Sequence, residues 1–75
     1  MYIVIELQTN NGVTSTITNA YETESSAYQK YYQILSYAAV SDVDIHAAVM
    51  LSEYGGLITN ASFDRSIKEN QNVNS

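Results

Sequence analysis

The chain has 75 residues, eight acids against three bases, a formal net charge of −5 and no cysteine. That length makes one domain. The lack of cysteine removes disulfides and thiolate metal sites, and the single histidine, His46, removes a histidine cluster. The acidic balance argues against nonspecific binding to nucleic acid or to an anionic membrane, because a polyanion is repelled at long range.

The opening MYIVIELQ has no basic stretch and no small-residue cleavage site, so it reads as a strand rather than a signal peptide. Residues 2–9 alternate Ile3, Ile5 and Leu7 with Tyr2, Val4 and Glu6, which is strand periodicity. Asn11-Gly12 between two strand-like runs is a hairpin signal, since both residues tolerate positive φ. Residues 13–20, VTSTITNA, form the return strand.

Next comes an amphipathic helix. Thr23 is its N-cap, with Glu22 and Glu24 near the positive end. At about 100° per residue, Ala27, Tyr28, Tyr31, Tyr32, Ile34, Leu35, Ala38 and Ala39 fall within an arc of roughly 160°. Tyr31 is central in that arc and reads as core. Tyr28 and Tyr32 lie toward one edge, and Tyr37 lies on the polar side. Ser41-Asp42 breaks the pattern.

Residues 45–52, IHAAVMLS, form a third strand, Tyr54-Gly55-Gly56 sits in a turn, and residues 57–63, LITNASF, form a fourth strand. No apolar run approaches the roughly 18 residues of a membrane helix. The order predicts an α+β domain over 1–66. It is a ββαββ unit whose four-stranded, mostly antiparallel sheet carries one helix on one face. Residues 67–75, polar and Asn-rich, are expected to be a disordered tail.

One helix covers one face. The second face is expected to carry Tyr2, Val4, His46, Ala48, Met50 and Ile58, too apolar to sit alone in water. A domain of this size buries only about 60–65% of its unfolded surface. Both considerations point to a homo-oligomer, a dimer or larger, built on those residues.

No catalytic residue set can be assembled. His46 has no nucleophile at a defining spacing, and Asp42 and Asp44, two apart on extended chain, point to opposite sides. Gly55-Gly56 precedes a strand, not a helix that could receive a phosphate. No metal or cofactor is implied. Tyr28, Tyr32 and Tyr37 are the candidates for stacking on a ligand, with Lys30 or Arg65 paired to its anionic group, in a site expected to lie between subunits.

The stretch KYYQILSYAAVSDVDIHAAVMLSEYGG, with the opening YIVIELQTNNG, resembles a family of short proteins from phages, prophages and related elements of Firmicutes-type bacteria. The matching residues are Lys30, Tyr31, Leu35, Ala38, Ala39, Val40, Ser41, His46, Ala48, Val49, Leu51 and Gly55. The Asn-rich tail departs from that pattern. The resemblance implies a mobile-element protein acting in the cytoplasm of a bacterial host cell. Small phage proteins without enzyme motifs are often counter-defence factors or virion parts. The expected function is therefore a non-enzymatic homo-oligomer that sequesters a small anionic, nucleotide-like signal. The alternative is an inhibitor that binds a host protein directly, or a structural assembly module.

Overall fold

The computed structural model describes residues 1–65. The expectation for residues 67–75, and the last residue of the expected domain, lie outside the described residues. Strand β1 (Tyr2–Asn10) turns into β2 (Val13–Tyr21), helix α1 (Glu24–Ala38) follows, and β3 (Ile45–Ser52) and β4 (Leu57–Asp64) complete the chain. These are the expected elements, extended by a residue at the ends of three strands. All neighbours pair antiparallel, in the order β2-β1-β3-β4.

Local sequence explains the boundaries. Asn11 and Gly12 take φ of 55° and 80°, the left-handed values that a two-residue hairpin turn demands. Thr23, extended at φ −114° and ψ 151°, accepts a hydrogen bond on its side chain from the Ser26 backbone N–H at 3.2 Å. That satisfies one of the free donors at the helix start. Gly55 turns β3 into β4 with φ 85°.

The core lies between α1 and the central strands. Val4, Ala27, Tyr31, Ile34, Ala38, Ala48 and Met50 are buried. Burying a side chain such as Ile34, Val4 or Met50 contributes roughly 1.5–3 kcal/mol. Ala27, Ala38 and Ala48 leave room for close approach of helix and sheet, and α1 packs mainly on β3. Tyr31 reaches across to β4, where its hydroxyl lies 3.3 Å from Thr59 Oγ1.

The structure corrects the assignment of the two sheet faces. Val4, Ala48 and Met50 are fully buried beneath the helix and His46 is 3% exposed, so none of them belongs to an uncovered face. Tyr2 packs against the same cluster. Ile58 has no partner in the β3–β4 ladder. Met50 faces Thr59 and Leu51 faces Leu57, which leaves Ile58 as the extra residue of a bulge. The uncovered face is the opposite one, carrying Ile3, Ile5 and Leu7 with Ala47, Val49 and Leu51 across from them.

Chain chirality accounts for this choice. β2 and β3 run parallel on either side of β1, so β2-α1-β3 is a crossover connection, and such connections are right-handed in about 98% of cases. In a two-residue hairpin the pair closing the turn, Asn10 and Val13, is hydrogen-bonded, so even-numbered residues of β1 bond toward β2. For L-residues, that bonding direction and a right-handed crossover together place the helix over the even-numbered side. Hydrophobicity does not decide the matter, since both faces are apolar.

Candidate ligand site on the helix

The outward side of α1 is polar, with Ser26, Gln29, Lys30 and Gln33 at helical i, i+3, i+4 and i+7 spacing. These four, with Tyr21 at the end of β2 and Tyr32 on the far side, line an open depression of about 550 Å³. Tyr21 is brought there by the two-residue connection Glu22-Thr23, which starts the helix directly after β2.

The tyrosines of α1 form a graded set. Tyr31 is buried, Tyr28 is half-buried, and Tyr32 is 60% exposed. The Tyr28 and Tyr32 rings stack at 6.0 Å with 20° between planes. Tyr31 meets both edge-on, at 6.5 Å and 5.3 Å. Pairs of this kind contribute about 0.5–1.5 kcal/mol each beyond area burial. These ring contacts position Tyr32 at the wall of the depression. Lys30 is half-buried, and no carboxylate of the described residues lies within ion-pair distance of its ammonium.

Tyr37 and Arg65 stand elsewhere. Tyr37 is 60% exposed and does not line the depression. Arg65 sits at the C-terminal end of α1, where its Nη2 donates to the carbonyls of Ala38 at 2.9 Å and Ala39 at 3.1 Å. Its guanidinium lies 5.8 Å from the centre of the Phe63 ring. A cation there satisfies free carbonyls and the negative end of the helix dipole. Eight helical residues, about 12 Å of axial rise, separate Lys30 from that end. The two bases therefore do not converge on one ligand within a single chain.

His46 belongs to a polar cluster within the fold. Its Nε2 lies 2.7 Å from Glu6 Oε2, and the Gln8 side-chain amide donates to that oxygen at 3.1 Å. The cross-strand register puts His46 opposite Gln8 and two pairs from Glu6, its diagonal neighbour on the same face. Among the described residues, no serine, threonine or lysine hydrogen-bonds to the pair. Among the described residues no group of three or more metal-binding side chains converges.

Of the five candidate ligand residues, the structure brings Lys30 and Tyr32 into one depression, with Tyr28 behind Tyr32. Sequence reading missed Tyr21, Gln29, Gln33 and Ser26. The polar i, i+3, i+4, i+7 series was the available signal for the last three, whereas Tyr21 joins only through tertiary structure. No helix of the described residues is long and apolar enough to cross a membrane. Comparison with family models, with characterised proteins and with solved structures gives no match to this chain.

Proposed function

We propose that this is a non-enzymatic binding protein that sequesters a small anionic, nucleotide-like ligand on the outward side of its helix. The observation that carries this reading is the meeting of Lys30, which has no ion-pair partner among the described residues, with Tyr32, ring-stacked on Tyr28, in one depression also lined by Gln29 and Gln33. The ammonium supplies charge for a phosphate as a point donor. The tyrosine rings supply a surface for a base, at roughly 1–3 kcal/mol per stacked base. The glutamine amides supply both donors and acceptors for base edges. The resemblance to short phage and mobile-element proteins supports a counter-defence role in the cytoplasm of a bacterial host, the ligand being a nucleotide messenger.

Isothermal titration of mononucleotides and cyclic oligonucleotides into the protein tests the reading. Binding heat is expected with at least one of them. Lys30→Ala and Tyr32→Ala are each expected to weaken it by about tenfold, the equivalent of one charge-assisted contact or one stacked base. No heat with any nucleotide, or unchanged affinity in both variants, refutes it.

A further inference from the structure

The sheet face opposite the helix has no partner within the described chain. Its two central strands carry the cross-strand pairs Ile3–Leu51, Ile5–Val49 and Leu7–Ala47, all half-buried. On the β2 side this stripe is bordered by Thr14, Thr16, Thr18 and Ala20, and on the β4 side by Leu57, Asn60, Ser62 and Asp64. We infer that a second copy of this chain stacks on this face, sheet against sheet, to form a two-fold symmetric dimer.

Charge selects this occupant. The chain is acidic, so two copies repel wherever acids face each other. Among the described residues, Glu6 lies on the helix side, Glu22 and Glu24 at the helix start, Asp42 and Asp44 before β3, and Glu53 in the β3–β4 turn. Only Asp64, at the corner where β4 ends opposite Ile45, falls on the open face by register. A basic partner would find no counter-charge over the stripe, whereas a like-charged copy meets no repulsion there.

Pattern and area agree with that occupant. An apolar stripe whose borders are mostly polar, with Asp64 at one corner as the single charge among the described residues of this face, is self-complementary under a two-fold axis, and an apolar centre with a polar rim is the ordinary anatomy of an interface. Four strands about 4.8 Å apart and eight residues at about 3.3 Å each present roughly 500 Å² of flat face, so stacking two copies removes roughly 1,000 Å² or more, the threshold of a specific interface. Aligned sheets pack about 10 Å apart through interdigitated side chains, and β-branched Ile and Val on a pleated surface suit that spacing. The arrangement leaves both helices, and so both depressions, outward and free. It is therefore independent of the ligand reading.

Sedimentation equilibrium or light scattering at micromolar concentration reads the outcome. The wild type is expected at twice the 8.3 kDa chain mass. Val49→Glu is expected to give a monomer with an unchanged helical circular dichroism signal. Val49→Thr, which withdraws one methyl per copy and keeps the β-branch, is expected to raise the dimer dissociation constant about tenfold. If Val49→Glu fails to fold, Val49→Thr decides, because it adds no charge. A monomeric wild type, a dimer that tolerates Val49→Glu, or a dissociation constant unmoved by Val49→Thr overturns the inference. So does a dimer lost only when β2 or β4 edge residues are changed, which would indicate edge-to-edge pairing.

Discussion

Val4 and Ile5 are chain neighbours of similar size and hydrophobicity, and the structure gives them opposite fates. Val4 is fully buried under α1 among Ala27, Tyr31, Ile34 and Met50, while Ile5 is half-buried on the open face. Val4→Asp removes roughly 2 kcal/mol of apolar burial. It also leaves a carboxylate with no partner in that cluster, which costs several kcal/mol more or forces the group to neutralise. A domain of this length holds only about 4–11 kcal/mol in total, at roughly 0.05–0.15 kcal/mol per residue, so Val4→Asp is expected to unfold it. Ile5→Asp sits on the open face, where its carboxylate keeps contact with water, so it loses part of the apolar burial and about 1 kcal/mol of strand preference but strands no charge in the core. Urea unfolding followed by circular dichroism, at a dilution where the measured mass is that of a monomer, compares the two. Greater damage from Ile5→Asp would show that the helix lies over the other face and would refute the handedness argument, and equal destabilisation would refute the burial contrast between the two faces.

Three smaller perturbations probe separate links. Thr23→Ala removes the side-chain acceptor for the Ser26 N–H and should lower stability by about 1 kcal/mol in the same denaturation assay, with Thr23→Ser retaining most of it. Glu6→Ala leaves His46 Nε2 buried without its partner and should cost about 1–3 kcal/mol. A double-mutant cycle with His46→Ala should return a coupling above roughly 0.5 kcal/mol, and a zero coupling would mean that the 2.7 Å contact contributes nothing. Gly12→Ala meets no atom within 4 Å of the added Cβ, so its cost is purely conformational. The positive φ of 80° should make that about 1 kcal/mol, read as a lower urea midpoint with unchanged slope.

Much of the site was legible in part. Helical spacing alone separates Tyr31 from Tyr28, Tyr32 and Tyr37; the structure buries Tyr31 and half-buries Tyr28, but leaves Tyr32 as exposed as Tyr37, each at 60%. Lys30 and Tyr32 were both named as ligand candidates, and the depression contains both. Arg65 was grouped with them because a free cation is suggestive in an acidic chain. Its hydrogen bonds to the Ala38 and Ala39 carbonyls depend on where β4 ends relative to the helix, which no local pattern encodes. Tyr21 was passed over for the complementary reason. At the end of a strand it looks like sheet packing, and only the docked helix turns it into a wall of the depression.

The sequence by itself determined the five elements, their order, the hairpin turn at Asn11-Gly12 and the cap at Thr23. Each of these rests on residues within a few positions of one another: period-two alternation, helical period, and backbone angles that only certain residues accept. It also determined which residues of β1 and of β3 share a face, because alternation is a local property, whereas the bulge at Ile58 breaks that alternation in β4. Tertiary structure alone decided which face the helix covers. With Ile3, Ile5 and Leu7 on one side and Tyr2, Val4 and Met50 on the other, burial favours neither decisively. The choice falls to the hand of the β2-α1-β3 crossover, a property of the whole chain path rather than of any segment. That single decision places Val4 and His46 inside and leaves the Ile5–Val49 stripe open to solvent.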